Sequence, residues 1–139
     1  MGYTHYWKTT KPVKLNEEQW GNLCDVIREI ITECKKQNIK LVIDCDEDKA
    51  PLIRNDEICF NGFGDLGHEN FYLQTQMDSF SFCKTARKPY DLAVTATLLI
   101  LHHIEPNIII TSDGNKDNWL TAQKLLTNLG YFVEIPETI

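Results

Sequence analysis

The sequence has too little positive charge for a general nucleic-acid binder. It carries 14 Lys and Arg against 20 Asp and Glu, a formal net charge of −6. Nucleic-acid binding rests on basic faces that neutralise phosphates, so that class is set aside. A small anionic ligand needs only two or three well-placed donors and stays open. Long apolar runs are also missing. The longest, Leu92 to Leu101, is roughly half of what a bilayer span needs and includes Thr95 and Thr97, so no membrane association is expected. None of the five cysteines (Cys24, Cys34, Cys45, Cys59 and Cys83) stands in a C-x-x-C spacing. Their odd number and apolar surroundings predict reduced, space-filling thiols. With a polar-aromatic start that lacks a basic stretch followed by an apolar one, they lead to an expected cytoplasmic location. No internal repeat, linker or low-complexity segment interrupts the 139 residues, so residues 1–139 are expected to form one globular domain.

Periodicity supplies the elements. Tyr3 to Thr9 is rich in aromatics and threonine and reads as a strand. A helix follows Asn16, an N-cap with Gln19 at the third helical position and Leu15 and Trp20 at the two staple positions. Trp20, Leu23, Cys24, Ile27, Ile30, Ile31 and Cys34 recur at helical spacing, and the helix should stop near Asn38. Ile39 to Cys45 reads as a strand. A hairpin is expected from Leu52–Arg54 and Glu57–Phe60, turning at Asn55-Asp56. Phe71 to Gln76 and Ser79 to Lys84 read as strands joined by Met77-Asp78. A second helix spans Pro89 to about Ile104, followed by a strand over Asn107–Thr111. The third helix covers roughly Lys116 to Leu129 and is closed by Gly130, with a last strand from Tyr131 to Ile135. This order predicts an α+β fold: a mixed or antiparallel sheet of about five to seven strands with three helices, the second helix central and buried.

The strongest functional signal is Phe82-Cys83-Lys84-Thr85-Ala86-Arg87-Lys88-Pro89-Tyr90-Asp91, which places three cations at the entrance of an apolar helix. A helix N-terminus is already electropositive, so cations gather there more sensibly if an anion sits there too. Lys84, Thr85, Arg87 and Lys88 would grip phosphate or carboxylate, aided by the N–H groups of Tyr90 and Asp91, and Tyr90 would stack on a base or ribose. The competing reading is a solvated face on which Asp91 and nearby acids neutralise the cations. In a strand Tyr3, His5 and Trp7 share one face, which suits either stacking on a nucleobase or simple burial. Ser112-Asp113-Gly114, at a strand end before a helix, is a ligand-binding loop or an ordinary helix entry, with Asp113 as its binding candidate.

Other motifs are weaker. Gly62-Phe63-Gly64-Asp65-Leu66-Gly67 has the letters of a dinucleotide fingerprint, but a strand, not a helix, follows it. A flexible turn is expected there, with Asn61 and Asn70 able to read polar groups. Asp44, Asp46 and Asp48 begin like a calcium loop, yet the sixth position is Lys49 and the twelfth Asn55. His102 and His103 point about 100° apart on a helix and cannot easily share a metal. No metal and no cofactor are expected. No nucleophile stands out: there is no G-x-S-x-G elbow and no Cys–His signature. A hydrolase would have to assemble acid and base from dispersed residues such as His5, Glu69 and Asp113.

Two segments, Met1-Gly2-Tyr3-Thr4-His5-Tyr6-Trp7 and Phe82 to Asp91, resemble a group of small proteins of tailed bacteriophages and prophages. The Ser112-Asp113-Gly114 turn and Leu129-Gly130-Tyr131 fit the same pattern. The resemblance implies a setting and no catalytic residues: small phage accessory proteins often counter host immunity. Some trap nucleotide-derived signals and others block a host enzyme. The leading expectation is therefore a protein that sequesters a small anionic, nucleotide-like ligand without turnover. The alternatives are a nucleotide-cleaving enzyme, with His5 as acid or base, and a protein-binding inhibitor of a host factor. A homo-oligomer would help to enclose the ligand.

Overall fold

A computed structural model of the protein describes residues 2–139; Met1 of the opening motif lies outside them. The fold is α+β. The described residues form three helices and nine strands, the strands in three small sheets with every pairing antiparallel. The strands number nine against the expected five to seven and divide among three sheets instead of one.

One of the sheets is three-stranded. Its central strand β1 (Thr4–Lys8) lies between β8 (Phe80–Lys84) and β9 (Ile109–Ser112). His5 is opposite Cys83 on one side and Ser112 on the other. Since both neighbours run antiparallel to β1, their C-terminal ends reach the same sheet edge. Helix α2 (Asp91–Ile104) follows β8 and α3 (Lys116–Asn128) follows β9. Two helices therefore start where two strands finish.

The other strands build two further sheets. β2 (Val13–Lys14) pairs with β7 (Gln76–Met77). β5 (Glu57–Gly62) pairs with β3 (Leu41–Val42), β4 (Leu52–Ile53) and β6 (Phe71–Gln74). The expected strand from Ile39 to Cys45 shrinks to β3 because Asp44 and Cys45 turn left-handed, at φ 55° and 58°. The expected last strand from Tyr131 to Ile135 is not formed. It finds no sheet edge, and Gln123 Nε2 donates to the Val133 carbonyl instead.

Helix α1 (Glu17–Lys36) begins in a complete capping box. The Gln19 N–H donates to Asn16 Oδ1 at 2.8 Å, and the Asn16 N–H donates to Gln19 Oε1 at 3.0 Å. Leu15 and Trp20 are both buried at the staple positions. Past the helix end, Asn38 adopts φ 62°, a conformation that asparagine tolerates better than most residues. Helix α2 is buried at every position from Ala93 to Leu101 and packs against both α1 and α3. A helix apolar on all sides must be enclosed, so α2 forms the centre of the core. No helix among the described residues is long and apolar enough to cross a membrane.

Candidate functional site

The site is built around a buried histidine. Strand alternation turns Tyr3, His5 and Trp7 inward, and His5 is 0% exposed. Its ring packs edge-on against Tyr3, 5.0 Å between centroids, and against Trp119 of α3, at 4.9 Å. Burying a ring with two polar nitrogens is costly unless both find partners. His5 Nε2 lies 2.6 Å from Asp91 Oδ1, and Nδ1 lies 2.8 Å from Ser112 Oγ. A carboxylate only accepts, so Nε2 carries the proton and donates to Asp91. In the neutral ring, Nδ1 then accepts from the Ser112 hydroxyl.

Each partner is held in turn. The Thr85 hydroxyl donates to the same Asp91 oxygen at 2.6 Å. Ser112 Oγ accepts from the Gly114 N–H at 2.9 Å. The Tyr3 phenol lies against Gly114, where an added Cβ would come within 2.2 Å of its oxygen. Burial raises the pKa of Tyr3 first, and the Asp91 charge raises it further, so the phenol stays protonated at neutral pH. Asp113 latches the strand edge: its N–H donates to the Thr4 carbonyl, and its Oδ2 accepts from the Thr4 N–H at 3.0 Å.

The cationic loop covers one end of this cluster. Ala86 and Arg87 are both left-handed, at φ 53° and 60°. Two such non-glycine residues in a row cost roughly 1–2 kcal/mol each, and strain of this kind gathers at functional sites. The surroundings impose the turn. The Tyr3 carbonyl accepts from the N–H groups of both Thr85 and Ala86, and the Arg87 guanidinium lies over the Tyr3 ring, 3.9 Å from its centroid.

Asp91 forms no ion pair with the loop cations; its carboxylate accepts from His5 and Thr85 instead. Among the described residues, no acid lies within 4.0 Å of the charged nitrogens of Lys84, Arg87 or Lys88. The Asp91 N–H is spent on the Lys88 carbonyl, so it is not a free donor for a guest. Five surface grooves, from about 330 to about 600 Å³, are lined by other residues.

Of the residues singled out from sequence, Tyr3, His5, Thr85 and Arg87 meet here. Lys84 and Lys88 flank them, and Asp113 borders the edge. Four others do not join them. Trp7 is core, packed on Phe71. Tyr90 is wholly buried and donates its hydroxyl to the Glu69 carbonyl at 2.7 Å, so its ring is not available for stacking. Asn61 staples the glycine loop, donating to the His68 carbonyl while its Oδ1 accepts from the N–H groups of Gly62 and His68. That loop is packed on itself: a Cβ on Gly62 would come within 2.2 Å of the Leu66 carbonyl oxygen. Asn70 is likewise spent on Asp44. Among the described residues no group of three or more His, Cys, Asp or Glu side chains is arranged to hold a metal.

Two members, Ser112 and Asp91, escaped the sequence reading as chemistry. They lie 107 and 86 residues from His5, and only the β1 register and the start of α2 bring them to it. No family model matches the chain, and no curated protein or solved structure matches it either.

Proposed function

We propose that this chain binds a small anionic, nucleotide-like ligand and holds it out of solution. The fate of Asp91 carries this reading. The acid nearest in sequence to the cations is committed to His5 and Thr85. Among the described residues the charged groups of Lys84, Arg87 and Lys88 form no ion pair, although the Lys84 N–H donates to Glu69 Oε1 at 2.7 Å, and the protein carries a net charge of −6. Arg87 is already oriented by the Tyr3 ring, so little rotamer freedom is lost when it meets a phosphate. In the phage setting that the resemblance implies, the ligand is a nucleotide-derived immune signal and its removal counters host defence. A second copy of the chain over the loop would help to enclose the ligand.

Titration calorimetry with ADP-ribose derivatives and cyclic dinucleotides tests the reading. Binding by at least one set is expected. Replacing both Arg87 and Lys88 by alanine removes two charge-assisted contacts of about 1.5–3 kcal/mol each, so affinity should fall at least a hundredfold. Silence from folded wild-type protein across both sets would end this proposal.

A further inference from the structure

The line Ser112–His5–Asp91 does more than satisfy a buried ring. It has the three parts of an activated nucleophile: a hydroxyl, a base within hydrogen-bond reach at 2.8 Å, and a carboxylate at 2.6 Å that fixes the base's tautomer. Relative to serine-protease triads the two ring nitrogens are exchanged, Nδ1 facing the serine and Nε2 the acid. The roles are unchanged, because either nitrogen serves as base when the other carries the proton. The supporting shell is in place as well. Thr85 pins Asp91, Tyr3 and Trp119 fix the ring edge-on, and the Gly114 N–H fixes Ser112 Oγ. His5 is fully buried, whereas Ser112 is only partly so, at the C-terminal end of β9. The base is thus shielded, and Ser112 Oγ lies among His5 Nδ1, the Gly114 N–H and the Tyr3 phenol.

The geometry points to Ser112 as a nucleophile towards phosphorus, with His5 as its base and Asp91 as a positioning residue. The substrate class, a phosphate ester, rests on the anion-binding part of the reading above, with the ligand removed by cleavage instead of by retention; the nucleophile itself does not rest on it. In the step, the Ser112 Oγ–P bond forms as the bond from phosphorus to the leaving oxygen breaks. The hydroxyl proton passes to His5 Nδ1, and the resulting imidazolium is stabilised by Asp91. That proton then goes to the departing oxygen. Water next attacks phosphorus, His5 takes a proton from it, and the Ser112 hydroxyl is restored as the phosphorylated group leaves.

A neutral alkyl fluorophosphonate tests the nucleophile without needing the natural ligand. Attack by Ser112 forms the O–P bond and expels fluoride, leaving an adduct that peptide mass spectrometry locates. One equivalent on the Ser112 peptide is expected, with none in Ser112→Ala. Removing the base in His5→Asn should slow labelling on the order of a hundredfold. If His5→Asn does not fold by circular dichroism, Asp91→Asn, which keeps an acceptor oxygen, takes its place and should also label more slowly. No adduct on folded wild type, an adduct elsewhere only, or an unchanged rate in the folded variant would overturn the inference. The probe carries no charge, so the two readings separate. Labelling with calorimetric silence leaves the nucleophile standing and removes the binder. Heat without labelling removes the nucleophile alone.

Discussion

Asp91→Ala should be among the most damaging single substitutions in this protein, although Asp91 is a carboxylate at a helix start with a side chain 19% exposed. The carboxyl accepts from His5 Nε2 and from the Thr85 hydroxyl, both at 2.6 Å, and both donors belong to buried residues. Alanine leaves two buried donors with no acceptor, each costing about 1–3 kcal/mol, so the expected loss is about 4 kcal/mol. A domain of this kind has roughly 5–15 kcal/mol in total, which makes the loss a quarter or more of it. The midpoint of thermal unfolding should fall by roughly 8–16 °C. Asp91→Asn retains an acceptor oxygen and should cost less than half as much. Arg87→Ala, which removes one exposed cation–π contact, should cost no more than about 1 kcal/mol. Urea unfolding followed by circular dichroism gives the three values. A double-mutant cycle between Asp91→Ala and Thr85→Val should show a coupling of at least about 0.5 kcal/mol, since the two share a hydrogen bond. If Asp91→Ala lies within about 1 kcal/mol of wild type, or close to Arg87→Ala, the cluster is not a coupled buried network and the reasoning fails.

Other outcomes follow from glycine packing and from the thiols. Gly21 lies within α1 with nothing inside 4 Å of an added Cβ, so Gly21→Ala should stabilise by about 0.5–1 kcal/mol in the same unfolding assay. Gly62→Ala meets backbone oxygen at 2.2 Å and should destabilise by about 1–3 kcal/mol or more; a neutral result would show that the loop yields. Burial pushes the thiols of Cys34 and Cys83 up to about 12, and only a thiolate reacts, so neither should label with a disulfide reagent in native protein at pH 8. The partly exposed Cys45 should react first, and all five should react in denaturant; rapid native labelling of Cys83 would contradict its place in the core.

The helices were legible because their signals are local. The Asn16–Gln19 box, the Leu15–Trp20 staple and the stripe from Trp20 to Cys34 all fall within a few turns of one another, and each is realised. Helix α2 could be placed at the centre from its apolar sequence alone. The β regions were less legible where short polar turns override propensity. Ile39 to Cys45 has the composition of a strand, yet two consecutive left-handed residues end it after Val42. The run from Tyr131 to Ile135 has strand character as well, but a strand needs an edge to join, and edges are a property of the whole fold.

The candidate site was legible only in part, for the same physical reason. The crowding of Lys84, Arg87 and Lys88 is visible along the chain, and so is the shared face of Tyr3, His5 and Trp7. What decides their meaning is not. Had Asp91 turned outward to pair with Arg87, the loop would be an ordinary neutralised surface. Asp91 turns inward because His5 is buried and a buried imidazole needs a partner for its N–H. The burial of His5 follows from the β1 alternation, and its second partner, Ser112, follows from the β1–β9 register. A one-residue slip in that register would put every side chain of β1 on the opposite face and take the histidine away from both Ser112 and Asp91. The inward turn of Asp91 and the hydrogen bond to Ser112 are therefore both consequences of one strand pairing. A substitution that weakens that pairing should alter ligand binding and Ser112 reactivity in parallel, whereas Arg87→Ala should alter only the first.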